Sequence, residues 1–427
     1  MMIEKITESR LPNGLAVITD QMSGVRSVTL GFFFRVGSRH EPDELNGISH
    51  FIEHTVFKGT GRRSAMQIAT EQDRLGGGLE AFTTHEETGF AVKVIDDQLP
   101  AAFDLIADML RDPKFDPTDL KSEQRVIIEE IKMVDDSPEE KLGEIFSTAF
   151  FPGHPLGLNI TGTPRNVKTF DQATTRNYHD HAYLPANLVI AAAGNVDHRE
   201  IVEMAAQSFG GGANGRRRRF STRRPKPAAP VIVKQNKNLE QAHLVLATPF
   251  VSAADRTRYA ADLLANILGG GSSSRLWQKI REDRGLAYNV GASAIMYRDC
   301  GIFSVFAGTS PDKAVEAVEI IVKELAQIVR DGITDDELDL VKDQARAGIL
   351  LDLEDSAARG AALAQCEMIF GRQISPEETI EGLMAVTPRD VRAIARKFFR
   401  TDKLAFAALG DLDRRSFPRR LFEIDAK

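Results

Sequence analysis

The chain has 427 residues, 42% apolar and 27% charged, with a formal net charge of -7. It is long enough for roughly two to four domains, and its mild acidity argues against nucleic acid as a main partner. Cys300 and Cys366, the only cysteines, exclude a disulfide framework and a Cys-rich metal site.

From the N-terminus, MMIEKITESRLPNGLAV carries Glu4 and Glu8 and lacks the apolar run of a secretory signal. Strand-like runs follow at 15–20 and 25–34, rich in β-branched and aromatic residues. Helices are expected near 47–57 and 64–75, strands at 79–85 and 88–95, and helices near 97–110, 117–135, 138–149 and 169–179. Strand 188–194 and helix 198–208 close the first half. The second half repeats the theme: strand 242–250, helices 255–268 and 274–283, strands 286–296 and 300–308, then helices near 311–330, 335–352, 357–370 and 388–399, and strand 403–410. No stretch reaches the roughly 18 to 20 apolar residues of a membrane span, so the expectation is a soluble cytoplasmic protein with no membrane partner.

Between the halves lies GGANGRRRRFSTRRPKPAAP, residues 211–230. Glycines loosen it, the arginines repel one another, and its prolines favour extended backbone, so it reads as an exposed linker. With Phe220 as its one aromatic, it lacks the interleaved stacking residues of a single-strand binder. The segment beginning at Phe115 aligns without gaps to that beginning at Ile333, pairing Glu130 with Gly348 and Glu123 with Val341. The expected fold class is α+β: two related domains duplicated within the chain, each an antiparallel-rich sheet packed by helices on one side. The cut falls at 1–212, linker 213–230 and 231–427, and the unmatched carboxylates of the first half suggest one metal site per chain.

That site begins with H-x-x-E-H in GISHFIEHTVFKGT, at His50, Glu53 and His54. Residues four apart share a helix face, so both imidazoles can approach one ion with Glu53 beside them. This inverts the H-E-x-x-H arrangement of zinc peptidases. A catalytic zinc needs a third protein ligand and an open position. Glu130, in SEQRVIIEEIKM, is the choice; Glu123, seven residues earlier, faces the same way, whereas Glu129 points about 100° aside.

These residues and their flanks resemble the pitrilysin-type metallopeptidase family, in the branch of mitochondrial processing peptidase and its bacterial relatives. LPNGLAVITD is similar to the family's opening strand, GISHFIEHTVFKGT to its metal motif, and SSSRLWQKIREDRGLAYNV to its R-x6-Y element. The resemblance implies zinc held by His50, His54 and Glu130, Glu53 as general base, Glu123 as a further acidic site, and Arg281 and Tyr288 contacting substrate. Residues 1–212 then form the zinc-binding catalytic domain and 231–427 the partner carrying the Arg/Tyr element. Where the family has N-A-y-T on its substrate-binding edge strand, this chain has Glu80, Ala81, Phe82 and Thr83. Ionised Glu only accepts hydrogen bonds, which puts the usual peptide positioning in question. The implied activity is a zinc endopeptidase acting on short or unfolded peptides inside a clamshell chamber, as a homodimer or a heterodimer. The alternative is a silent or auxiliary subunit of a heterodimeric assembly.

Overall fold

The computed structural model describes residues 5–211 and 223–424, so most of the basic linker lies outside the described residues. The first half contains strands β1 (Lys5–Arg10), β2 (Ala16–Gln21) and β3 (Ser27–Phe34), helices α1 (Ile48–Thr55) and α2 (Ala65–Leu75), and strands β4 (Leu79–Thr83) and β5 (Thr88–Ile95). It continues through α3 (Leu99–Arg111), α4 (Pro117–Asp136), α5 (Pro138–Phe150), α6 (Pro164–Val167), α7 (Gln172–Ala182), β6 (Leu188–Gly194) and α8 (His198–Phe209). The second half runs β7 (Val231–Gln235), β8 (Ala242–Phe250), α9 (Arg258–Gly269), β9 (Ala287–Met296), β10 (Gly301–Thr309), α10 (Ala314–Asp331), α11 (Asp335–Asp352), α12 (Ser356–Phe370), α13 (Pro376–Met384), α14 (Pro388–Phe398) and β11 (Ala405–Gly410).

Two sheets result, in the orders β1-β2-β6-β3-β5-β4 and β7-β11-β8-β10-β9. Each has one parallel pair, β2 with β6 and β7 with β11, and is otherwise antiparallel. Setting β2 against β7, β6 against β11, β3 against β8, β5 against β10 and β4 against β9 superposes the two orders, with β1 as an addition. The duplicated α+β architecture is therefore present in the strand order itself.

Compactness divides the chain differently from a cut by chain order. One unit comprises the residues up to Met133 with 158–223 and 351–373, and the other comprises 134–157, 224–350 and 374–427. In the first unit Val28, Leu30, Phe32 and Phe34 of β3 pack with α1 and α3 in one core, while Phe33 joins Ala16, Ile18, Val189 and Ala191 against Leu363, Ala364 and Met368 of α12. The second unit has the same plan. Leu244, Leu246, Phe303 and Phe406 meet α9, α10 and α14, and Ala247, Ala405 and Ala407 meet Leu142, Phe146 and Phe150 of α5. Helices thus cover both faces of each sheet, which corrects the one-sided expectation. Near-continuous apolar strands such as LVIAAAG carried that signal, since a sheet wet on one face alternates.

Sequence patterning missed β1, β7, α6 and α13, and the expected helix at 274–283 is mainly a π-helical turn at Trp277–Glu282. No helix among the described residues is long and apolar enough to cross a membrane.

Candidate metal centre

Helix α1 is short and has two distinct sides. Ile48, Phe51, Ile52 and Thr55 recur at helical spacing and are buried, the three apolar ones within the first unit's main core. That leaves His50, Glu53 and His54 on another face. The chain reaches α1 through Gly47 at φ 99°, and a Cβ there would lie 2.7 Å from the Thr161 carbonyl oxygen and 2.8 Å from Gly162 Cα. Only glycine satisfies both the left-handed backbone and that approach. Buried Glu41 caps the helix, accepting from Gly47 N at 2.7 Å and Ser49 N at 2.8 Å. Its burial pushes its pKa up to about 7, against the hydrogen bonds from Ser49, Gly47 and Asn46 that favour its charge.

Helix α4 supplies the carboxylates. Leu120, Glu123, Ile127 and Ile131 form its buried side. Glu130 sits beside that side: its Oε1 is 3.6 Å from His50 Nε2 and its Oε2 is 3.8 Å from His54 Nε2. One ligand atom from each of His50, His54 and Glu130 lies within 4.8 Å of the others. Ligands placed tetrahedrally at zinc-like bond lengths sit roughly 3.4 Å apart, so these separations suit one small divalent cation. The donor set also fits, two imidazoles and a carboxylate, and His50 directs Nε2 toward Glu130 while its Nδ1 is buried with no hydrogen-bond partner among the described residues.

Around this trio, His54 Nδ1 lies 3.3 Å from Glu123 Oε2, and Lys58 Nζ lies 2.6 Å from Glu123 Oε1. Thr83, at the end of edge strand β4, donates to Glu53 Oε2 at 2.7 Å. Burial and the neighbouring His54 charge lower the His50 pKa to about 4, so this ring is neutral near pH 7. Burial opposes charge on His54 too, but the Glu123 hydrogen bond and the charges of Glu53, Glu130 and Glu123 raise its pKa overall. For Glu123, burial is outweighed by the hydrogen bonds from His54 and Lys58, which keep it ionised. Burial raises the Glu53 pKa; Thr83 and His54 oppose the rise and Glu130 adds to it. A carboxyl with a raised pKa beside a candidate cation-binding trio holds a proton more readily than an ordinary glutamate, as a general base requires.

Of the residues singled out in the sequence, His50, Glu53, His54, Glu123 and Glu130 come together here. On β4, Ala81 packs with the core on the α1 side, whereas Phe82 packs with Phe33 on the α12 side, and strand alternation puts exposed Glu80 on the latter face. Arg281 and Tyr288 lie in the second unit, where Arg281 Nη1 donates to the Tyr288 carbonyl at 3.0 Å. Lys58 and Glu41 were not singled out, and Thr83 was named only as the last position of the edge-strand motif, without its contact to Glu53. Lys58 follows His54 by four residues, a helical neighbour spacing, and an acidic residue shortly before a helix start is a capping signal.

Residues 16–164 match the family model described as insulinase (peptidase family M16), and residues 169–345 match the one described as the peptidase M16 inactive domain. An uncharacterized zinc protease of Streptomyces coelicolor is 36% identical over 400 residues, 92% of this chain and 87% of that protein. YmxG of Bacillus subtilis, also an uncharacterized zinc protease, is 36% identical over 390 residues, 91% of this chain and 95% of that protein. A protease from Helicobacter pylori has the same fold, with a TM-score of 0.89 at 22% identity over 95% of this chain and 100% of that one.

Proposed function

This chain belongs to the insulinase family of peptidases, M16, and on that premise we propose a zinc-dependent endopeptidase of the branch that holds mitochondrial processing peptidase and its bacterial relatives. One observation carries the reading: two imidazoles and a carboxylate converge within 4.8 Å, with a raised carboxyl, Glu53, on the same helix. A silent or auxiliary subunit has no use for that combination.

His50, His54 and Glu130 would hold the ion, which when bound would acidify a water and polarise the scissile carbonyl. Glu53 is the general base. Thr83 occupies its Oε2, so Oε1 takes the proton from the attacking water and returns it to the leaving amine. Glu123 fixes the His54 ring through Nδ1, and Lys58 fixes Glu123. Tyr288 donates from its hydroxyl to the developing oxyanion and Arg281 to a neighbouring substrate carbonyl. The edge strand at Glu80, Ala81 and Phe82 takes the peptide as an added strand through its backbone.

In this reading residues 1–212 and 231–427 act as the catalytic and substrate-contacting parts, joined by 213–230. Two chains form a homodimer enclosing a chamber that admits short or unfolded peptides, and the enzyme works in the cytoplasm. A heterodimer would instead need a second gene product for activity. The test is digestion of a mixed peptide library and of a compact folded protein by the purified chain, with and without chelator. Chelator-sensitive cleavage of the peptides alone is expected; no peptide cleavage by the zinc-loaded chain would reject the assignment.

A further inference from the structure

Trp277 is the only tryptophan in the chain, and its place beside Arg281 has no role in the mechanism above. The segment leading to Tyr288 is a π-helical turn, Trp277–Glu282, anchored by the fully buried side chains of Leu276 and Ile280. Such widened turns are rare and recur at functional sites. The backbone reverses at Gly285, φ 59°, and delivers Tyr288 to the start of β9 with 80% of its surface exposed.

This reversal places the Arg281 guanidinium between two rings. Its Cζ lies 4.1 Å from the Trp277 ring centroid and 4.5 Å from that of Tyr288. Glu282 completes the arrangement, accepting from Trp277 Nε1 at 3.0 Å and lying 3.7 Å from Arg281 Nε. A free arginine samples many rotamers and loses that freedom on binding. Here two aromatic faces and the hydrogen bond to the Tyr288 carbonyl restrict it beforehand, while most of its five N–H donors stay available.

We propose that Trp277 is a positioning residue that holds Arg281 ready for the peptide, and that its indole senses peptide arrival. The proposal rests on the reading that Arg281 and Tyr288 meet the substrate. A carbonyl bound by Arg281 draws the guanidinium toward it and changes the stack, so the emission of the single indole changes too. Loss of the indole loosens Arg281 in substrate-bound and transition states alike, which raises KM and leaves kcat nearly constant.

The test uses the zinc-loaded full chain carrying Glu53→Gln, titrated with a tryptophan-free peptide that the native chain cleaves. The expected result is a saturable change in emission whose midpoint follows the native KM. In the otherwise native chain, Trp277→Leu should raise KM about fivefold, the size of one exposed cation–π contact, and Trp277→Phe should recover most of that loss. An emission unchanged at saturating peptide overturns the proposal, as does a native KM in Trp277→Leu. Should Trp277→Leu not fold, the emission titration still decides. A native chain that cleaves no peptide removes the peptidase reading and this inference together, and so is distinguishable from failure of the inference alone.

Discussion

His50 and His54 present two unlike imidazoles to the same position: one kept neutral by burial, the other flanked by Glu123, Glu53 and Glu130. An ion there competes with little more than the proton that the carboxylates draw onto His54. Glu53 differs from these in having one oxygen committed to Thr83 and in lying outside the His50, His54 and Glu130 group. Glu53→Gln keeps the Thr83 hydrogen bond and removes the proton acceptor. The variant should therefore bind zinc as the native chain does, while kcat falls by about 10² to 10⁴-fold, measured by single-turnover cleavage of a fluorogenic peptide. An unchanged kcat in the metal-loaded variant would remove the base assignment. The histidine pair was legible in the sequence because helix geometry turns a spacing of four into a shared face, whereas the pairing of Glu130 with it rested on the family resemblance, since no spacing joins two separate helices. The contacts that Thr83 and Glu41 make with α1 were hidden because they cross a strand end and a loop, where spacing says nothing about distance.

At the scale of elements, α1 depends on the buried Glu41 cap. Its folded pKa, about 7, lies above the ordinary value of 4.5, so the folded state holds a proton that the unfolded chain has released between those pH values. Its contribution to stability is complete below about pH 4.5 and is lost as the pH rises through about 7. Glu41→Gln should flatten that decline, seen as a smaller difference between urea denaturation midpoints at about pH 5 and about pH 8. An identical decline in the variant would show that Glu41 titrates as it does unfolded. Helix α12 has another determinant. Arg359 Nε donates to Asp20 Oδ2 of β2 at 2.6 Å with both side chains buried, and Glu367 accepts from Arg35 and Arg10 at 2.6 Å. Removing one member strands the other's charge, so Arg359→Ala should cost about 3 to 5 kcal/mol in chemical denaturation, well above a surface substitution. A loss under about 1 kcal/mol would mean that water reaches the pair. The helix itself was expected from the sequence near 357–370, but its packing against the first unit's sheet was not, because nothing local marks a partner more than 150 residues away.

For the molecule as a whole, the gap-free match of the segments starting at Phe115 and Ile333 foreshadowed two sheets of equivalent strand order. The same match shows where they diverge: α11 carries Val341 and Gly348 at the positions of Glu123 and Glu130, and the one His/His/Glu cluster among the described residues lies in the first unit. Fold class came through because alternating and continuous apolar runs report burial directly; the interleaved composition of the units did not, because compactness is decided by α5 and α12 packing outside their own halves. What the assembled chain should possess is a single stoichiometric metal requirement. The decisive measurement is titration of zinc into the metal-stripped full chain with peptide cleavage followed in the same samples. Cleavage should be absent at the start, rise in proportion to added zinc, stop near one ion per chain, and not appear in a His54→Ala variant. Full cleavage before any zinc is added, or the same endpoint and activity in His54→Ala, would contradict the account.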